Sequence, residues 1–287
     1  MPARLVLILV LLASAACNVN RALEQVHEAR QLSADLSVQF TKAADASNLA
    51  VMSDTDAAST AFVKEAEGRT AAVQKDIEAL QPLLERLGYS EESRLLGEFR
   101  SRFDEYRRID RTILDLAIEN TNFKAQALAS GAAREAADAV ASALEGLEPS
   151  ADTREGWRVK ALAANVDARV REIEALQANH IVTPDDETMT SLEQRMAAAN
   201  ASARASIERL AAAVRPASQA KMTAAGTALD RLVATNRQIV ELSRRNTNLR
   251  SVALSLTEKR PAVAACEDRL HALQAALAKR GFVSHRS

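Results

Sequence analysis

Apolar residues recur at steps of three and four through almost the whole chain beyond residue 18, and polar residues fill the positions between them. This is the periodicity of helices that bury one face, and no segment shows the alternation that is typical of a half-buried strand. The clearest apolar stripe runs through Phe99, Phe103, Tyr106 and Ile113. The pattern therefore predicts an all-α protein.

Capping and helix-breaking residues divide this pattern into six helices. The predicted helices span about 20–52, 56–87, 90–148, 153–181, 184–214 and 218–281. Each half of the chain thus contains two short helices and one long helix, and the two short helices together match the length of the long one. The predicted fold is an elongated antiparallel four-helix bundle, bimodular and built from a tandem repeat.

Two prolines refine these bounds. Thr183 and Pro184 have the order of a capping residue followed by proline in the first helical turn, which predicts that the fifth helix starts there. Pro261 falls inside the sixth helix. We expect it to kink that helix, because proline removes a helical hydrogen bond.

A repeated triplet supports the tandem arrangement. Asn120-Thr121-Asn122 recurs 126 residues later as Asn246-Thr247-Asn248, and flanking residues such as Ile113 and Ile239 also match. Alanine and leucine matches are frequent by chance in a chain of this composition, whereas a repeated Asn-Thr-Asn is not. The repeat halves are predicted at about 20–148 and 152–281.

The two triplets form the candidate functional site. Continuing the apolar stripe places Asn120 and Asn246 inward, followed one turn later by Lys124 and Arg250. One hypothesis is that the two cations hold a small organic anion while amides and hydroxyls complete its shell. The alternative is structural, with buried asparagines that fix the helix register and cations that extend outward to solvent. The candidate ligand-binding residues are Asn120, Thr121, Asn122, Lys124, Asn246, Thr247, Asn248 and Arg250.

The N-terminus predicts export. Arg4 precedes an apolar run over residues 5–12, which is shorter than the roughly 20 residues of a membrane-spanning helix. The run fits the core of a signal peptide, with Ala13-Ser14-Ala15 as a cleavage pattern. The small residues before Cys17 also resemble a bacterial lipoprotein signal, in which that cysteine is lipidated. Residues 1–17 are therefore a lipoprotein signal, a cleaved signal peptide or an uncleaved anchor, and each predicts a location in the periplasm or cell envelope.

Composition and motifs argue against several function classes. The 37 basic and 38 acidic residues give a formal net charge of -1, without the basic face of a nucleic-acid binder. The four His and two Cys show no zinc spacing, and Glu24 with His27 forms one Glu-x-x-His where a di-iron bundle needs two. No phosphate loop, dinucleotide fingerprint or nucleophile elbow occurs. We expect no enzyme, no cofactor and no metal site.

The helix order, two short and one long given twice, and the surroundings of the triplets resemble the sensory module of bacterial methyl-accepting chemotaxis receptors, in its helical bimodular form. The resemblance covers about residues 20–281 and leaves 282–287 as a tail. It implies an extracytoplasmic bundle of two stacked modules that binds small organic acids. The chain contains no second membrane span and no cytoplasmic signalling hairpin, so we expect a separate transmembrane signalling partner, and also a homodimer. The alternative is a structural envelope lipoprotein, a spacer or dimerising stalk without a ligand.

Overall fold

The computed structural model describes residues 2–150 and 153–280, with the backbone alone for residues up to 22. Within these residues the elements are helical and no strand is present, which confirms the predicted all-α fold. Two π-helical segments, π1 (Ala129–Ala133) and π2 (Ser255–Lys259), interrupt the α-helices. The α-helices are α1 (Pro2–Met52), α2 (Asp56–Leu87), α3 (Ser90–Glu119), α4 (Thr121–Leu128), α5 (Arg134–Leu144), α6 (Thr153–Val182), α7 (Asp186–Ala213), α8 (Gln219–Arg245), α9 (Thr247–Leu254) and α10 (Arg260–Lys279).

The helix α2 has the predicted ends. Its cap is Thr55, whose side chain accepts a hydrogen bond from the Ala58 amide at 3.3 Å. Gly88 follows its last turn with a φ of 69°, the left-handed conformation that glycine adopts without strain. These two residues fix the length of α2.

The predicted start of the fifth helix is wrong by two residues. The cap of α7 is Asp185, whose carboxylate accepts from the Thr188 amide at 2.7 Å. Thr183 instead donates to the Asn179 carbonyl in the last turn of α6. The carboxylate is the better cap because its charge also interacts favourably with the positive end of the helix dipole.

The predicted long helices are interrupted at both triplets, which corrects the sequence-based interpretation. Asn120 and Asn246 have positive φ angles of 50° and 55°. Asparagine tolerates this left-handed conformation better than most residues, since its short polar side chain can form local hydrogen bonds. Each triplet therefore ends one helix and starts the next.

The π segments give a second interruption at matching positions. Ala129–Ala133 and Ser255–Lys259 also lie 126 residues apart. Pro261 stands in the first turn of α10, directly after π2, where its missing N–H costs little. A π-helical turn thus precedes Pro261, and the kink predicted there stays a prediction.

The chain divides into two compact units, and each contains helices from both predicted repeat halves. Unit 1 comprises Met1–Ile118 and Ser251–Ser287, and unit 2 comprises Glu119–Arg250. Unit 1 is built from α1, α2, α3 and α10. Unit 2 is built from α4 with α5, then α6, α7 and α8, and it includes residues 247–250 at the start of α9. Both chain crossings between the units fall beside a triplet.

The core of unit 1 is aromatic. The Phe40 ring meets Tyr106 edge-on, with ring centroids 5.2 Å apart, and meets Phe99 at 5.9 Å. Phe99, Phe103 and Tyr106 are the residues of the predicted stripe, and all are fully buried. Burial of each such side chain contributes about 1.5–3 kcal/mol. Edge-to-face pairs of this kind add about 0.5–1.5 kcal/mol.

The pattern of buried positions repeats along the chain, as the sequence pattern does. Positions in α1 and α2 match positions in α6 and α7 that lie 130 residues later, as Asp56 and Asp186 show at the helix starts. Positions in α3 to α5 match positions in α8 to α10 that lie 126 residues later. Phe40 thus corresponds to Val170, and both are buried. This equivalence makes one unit an internal reference for the other.

No described helix is both long and apolar enough to cross a membrane. The side chains of residues 1–17, including the lipidation candidate Cys17, lie outside those that the structure describes. The tail at 282–287 also lies outside the described residues. The roles assigned to these segments stay predictions.

Candidate functional site

The two triplets contact each other within unit 2 through reciprocal hydrogen bonds, and we name these six residues the triplet junction. The Thr121 amide donates to Thr247 Oγ1 at 3.1 Å, and the Thr247 amide donates to Thr121 Oγ1 at 3.2 Å. The Asn122 amide donates to Asn248 Oδ1 at 3.1 Å, and the Asn248 amide returns the bond to Asn122 Oδ1 at 3.2 Å. The junction is therefore an internal pseudo-two-fold arrangement.

The asparagine side chains also satisfy groups exposed by the helix breaks. Asn122 Nδ2 donates to Asn246 Oδ1 at 2.8 Å and to the Ile181 carbonyl at 2.7 Å. Asn248 Nδ2 donates to Asn120 Oδ1 at 2.7 Å. All six triplet residues are buried. Buried backbone groups need partners, and these amides supply them where the helical ladder stops.

The predicted inward placement of Lys124 and Arg250 is wrong. Both side chains are exposed, and Lys124 Nζ donates to the Glu119 carbonyl at 2.9 Å. The left-handed first residue of each triplet changes the phase of the helix, so the stripe cannot be extrapolated across it. The contacts leave the triplet junction closed by protein atoms, and Asn120 Nδ2 is buried there without a hydrogen-bond partner in the described chain. Anion binding by these eight residues stays a prediction.

A second polar network lies in unit 2 around a buried histidine. His180 Nδ1 is 2.6 Å from Ser243 Oγ, and His180 Nε2 is 2.9 Å from Glu193 Oε1. Arg244 Nε donates to the same Glu193 oxygen at 2.6 Å. The Arg244 and His180 side chains hold the pKa of Glu193 below its usual range, against the opposing effect of burial. The network connects α6, α7 and α8.

The order Ser243, His180, Glu193 is that of a hydrolase triad, but its surroundings do not fit catalysis. Ser243 is fully buried, and its hydroxyl also lies 2.8 Å from the Ile239 carbonyl of its own helix. A nucleophile needs access to substrate. The equivalent positions of unit 1 are occupied by apolar residues, namely Ala50, Val63, Ala117 and Ile118. The fold therefore does not require the network.

Unit 1 contains a buried charged cluster instead. Lys259 Nζ donates to Ser47 Oγ at 2.7 Å and lies 3.5 Å from Asp110 Oδ1, and Ser47 Oγ donates to Asp110 Oδ1 at 2.5 Å. Burial raises the pKa of Asp110 and lowers the pKa of Lys259, although each charge partly offsets the other. The ammonium group belongs to π2, so the π-helical turn is what places it inside.

The equivalent cluster of unit 2 is neutral. Gln177 takes the place of Ser47, and Asn236 takes the place of Asp110. Gln177 Nε2 donates to Asn236 Oδ1 at 3.0 Å, which repeats the link between α6 and α8 without charge. Ala133 stands where unit 1 has Lys259. A buried charge pair is therefore a specific property of unit 1.

An open groove in unit 1 offers cations to a ligand. It lies between α2 and α3 and has a volume of about 630 Å³. One wall carries Arg107, Arg108 and Arg111, and the other carries Thr70 and Gln74. The groove is acidic as well as basic, since Glu67 of α2 and three acids of α3 also line it; these are Asp104, Asp110 and Asp115. Of the three arginines, Arg107 is near an acid, 3.6 Å from Asp104. Arg108 and Arg111 form no ion pair with any described residue.

Metal binding finds no support among the described residues. No group of three His, Cys, Asp or Glu side chains there could hold an ion. Glu24 and His27, the half-motif of the sequence, are exposed on α1. Cys266 is buried in the unit 1 core, and burial raises the pKa of its thiol to about 12. A thiol in this state is an inert core residue.

Sequence reasoning missed both His180 and Lys259 as functional candidates. His180 could have been found, because it aligns with the buried residue Ala50 once the spacing of 130 is recognised. A histidine at a core position needs partners, and Glu193 follows on the next helix. Lys259 had no such signal, because the π segment shifts the helical phase before it.

Comparison with known proteins identifies one relationship. Residues 14–148 match a family model described as a four helix bundle sensory module for signal transduction. The matched range runs from within α1 to beyond the end of α5 and includes the first repeat half. No curated protein and no solved structure matches the chain.

Proposed function

We propose that the chain is an exported sensory module that acts through a signalling partner, because residues 14–148 match a family model described as a four helix bundle sensory module for signal transduction. This family is a signalling module and not a catalytic one. The second half repeats the triplet, both interruptions and the burial pattern of the first. We therefore extend the sensory role to both halves. Residues 1–17 supply the export signal or membrane tether.

The ligand that we propose is a small carboxylate, bound in the groove between α2 and α3 of unit 1. The observation that supports this is the set of three arginines on one helix, two of them without an ion pair in the described chain. A carboxylate can accept charge-assisted hydrogen bonds from such guanidinium groups. Thr70 and Gln74 can bind its other polar atoms. The acids of the same groove suit a ligand that also carries an amino group.

The triplet junction is less suited to this role. Its side chains already bond to one another, and its two nearby cations face solvent. A ligand there would have to break buried hydrogen bonds that contribute about 0.5–1.5 kcal/mol each. The groove requires no such exchange. We therefore transfer the proposed anion site from the triplets to the groove.

The test is a thermal-shift screen of the full chain against small mono- and dicarboxylates and amino acids. A ligand at 100 times its Kd should add about 2.7 kcal/mol of stability. Arg111→Met should abolish the response, and Arg100→Met, an exposed change on the same helix outside the groove, should not. Loss of the response in Lys124→Met or Arg250→Met instead would move the site to the triplets. A screen in which no carboxylate raises Tm would contradict the ligand proposal.

One observation favours a second function, that of a spacer in the cell envelope. The triplet junction is closed, as a structural layer that fixes helix register would be. A spacer needs no ligand, and its stability should not respond to small molecules. The same thermal-shift screen therefore separates the two proposals.

A further inference from the structure

Asp110 belongs both to the buried charged cluster and to the open groove of unit 1. The residue is 3% exposed, and its carboxylate accepts a hydrogen bond from Ser47 Oγ at 2.5 Å. Lys259 Nζ lies 3.5 Å from the same carboxylate oxygen. Asp110 nevertheless lines the groove between α2 and α3. A buried residue that lines an open groove forms part of its floor.

Asp110 differs in solvation from the other acids of this groove. Glu67, Asp104 and Asp115 line the groove with exposed side chains. Water and salt screen the effect that a bound ligand has on exposed charges, whereas buried charges are screened much less. The Asp110 carboxyl also stays in place, because Ser47 binds it from the interior. Asp110 is therefore the acid of the groove whose proton binding should respond most to a ligand.

Unit 2 does not have this combination of a buried acid and an arginine cluster. Its equivalent groove lies between α7 and α8 and is lined by Val233, Asn236 and Arg237. Asn236 takes the place of Asp110, and Val233 takes the place of Arg107. The buried acid thus occurs in the unit whose groove carries three arginines. The fold does not require it, since unit 2 has an uncharged amide at the same position.

We infer that a carboxylate binds in the groove of unit 1 together with a proton, which Asp110 takes up. This inference rests on the carboxylate site proposed above. A ligand held by Arg111 and the neighbouring arginines brings a second negative charge to the groove and covers its floor. Both changes favour the neutral form of Asp110, because a nearby like charge and a loss of solvation each oppose ionisation. By thermodynamic linkage, the groove then binds carboxylates more tightly when Asp110 is protonated.

The charges around Asp110 determine the direction of the pH dependence. Glu67 of α2 shares the groove with Asp110, Lys259 of π2 lies beside it, and Asp45 of α1 acts on that ammonium group. On α3 itself, Tyr106 interacts with the carboxyl, and the arginines and exposed acids of the groove lie on the same helix. Burial raises the pKa of Asp110, and Lys259 offsets part of this increase. Affinity should therefore be highest at low pH and fall as pH rises through the pKa of the ligand-bound state.

The first test is isothermal titration calorimetry of the full chain with acetate, succinate and L-aspartate at about pH 5.5 and about pH 8. The parent should bind at least one of these probes about tenfold more tightly at the lower pH, a factor typical of coupled sites. Titrations at an intermediate pH, in two buffers with different heats of ionisation, should show that a proton is taken up with the ligand. Equal affinity at both pH values without proton uptake overturns the inference and leaves the proposed ligand site intact. No binding of any probe at either pH overturns both.

Two substitutions test whether Asp110 is the group that takes up the proton. Asp110→Asn should abolish proton uptake and should bind the same probe at about pH 8 at least as tightly as the parent does, because its groove floor is uncharged at every pH. The matched control Asp115→Asn removes an exposed acid of the same groove and should retain the proton uptake of the parent. Uptake that persists in Asp110→Asn, or that is lost equally in Asp115→Asn, contradicts the assignment.

Ser47→Ala gives a readout from a residue that does not line the groove. It removes a hydrogen bond that favours the ionised form of Asp110, so the pH at which affinity falls should move upward. Loss of a merely structural contact would lower Tm without moving this pH. Unchanged pH dependence of binding in folded Ser47→Ala therefore contradicts the inference.

Discussion

The left-handed backbone at Asn246 allows a substitution test of the helix breaks. Asn246→Gly keeps the backbone conformation and removes the side chain, whereas Asn246→Ala removes the same contacts and places a Cβ at a φ of 55°. The side chain accepts from Asn122 Nδ2 at 2.8 Å and donates to the Thr183 carbonyl at 3.0 Å. Both variants lose these two bonds. Only the alanine variant adds backbone strain.

The magnitudes follow from these contacts. Two buried hydrogen bonds at about 0.5–1.5 kcal/mol each give a loss of about 1–3 kcal/mol for Asn246→Gly. The left-handed conformation costs an alanine about 1–2 kcal/mol. The greater freedom of glycine in the unfolded chain offsets about 0.4–1 kcal/mol of this difference. Asn246→Ala should therefore be less stable than Asn246→Gly by about 1 kcal/mol.

The assay is urea unfolding of the full chain followed by circular dichroism, with stability taken from the midpoint and slope. Asn179, exposed within α6, supplies the control, because its backbone is helical. There the order should reverse, with alanine more stable than glycine by about 1 kcal/mol. If alanine is also the more stable substitution at Asn246, the helix continues through the triplet and the account of the junction is refuted.

Four further predictions concern other residues. Lys259→Met should lower the free energy of unfolding by about 3–5 kcal/mol, because it leaves the Asp110 carboxylate buried and unpaired. Adding Asp110→Asn to this variant should restore much of the lost stability, as measured by urea unfolding. Burial raises the pKa of Asp110 above its ordinary value of 3.8, so the stability from this carboxyl is complete only well below pH 3.8 and is lost as pH rises through the raised pKa. Asp110→Asn should accordingly gain stability relative to the parent between about pH 4 and about pH 7, and a constant difference would contradict this assignment. His180→Ala should cost about 1–3 kcal/mol, since it removes two hydrogen bonds of a buried side chain, to Ser243 and to Glu193. A change under about 0.5 kcal/mol would show that these bonds do not stabilise the fold. Cys17→Ser should block lipid attachment, as labelled fatty acid incorporation would report, and unchanged processing would indicate an ordinary signal peptide.

Much of the fold could be predicted because it depends on helical periodicity and capping. The stripe through Phe99, Phe103 and Tyr106 forms the buried aromatic core of unit 1. Thr55 and Gly88 delimit α2 as their chemistry indicates. These signals are local, since a cap or a glycine acts within one turn of its own position.

The candidate site was harder to predict because it depends on helical phase. One left-handed residue at Asn120 or Asn246, and one π segment after it, rotate every later position relative to the stripe. Periodicity alone therefore placed Lys124 and Arg250 inward, and it gave no reason to place Lys259 inward. The repeated triplet correctly marked the place where the phase changes, but not the direction of the change.

Partner choice for buried polar residues was also beyond sequence reasoning. Glu193 and His180 lie on different helices, and only the packing of α6 against α7 brings them within 2.9 Å. The comparison of the two units is more informative than either half alone. Equivalent positions share burial, so a polar residue in one unit and an apolar residue in the other identify features that the fold does not require.

The most direct test of the sensory account is hydrogen–deuterium exchange of the full chain, with and without a carboxylate that raises Tm. The groove proposal predicts slower exchange confined to residues 67–74 of α2 and 104–115 of α3, which carry its lining side chains. Exchange at 119–124 and 246–250 should not change, because the triplet junction is already closed. Protection centred on the triplets, or no protection by any carboxylate, would contradict the assignment of this groove as the ligand site.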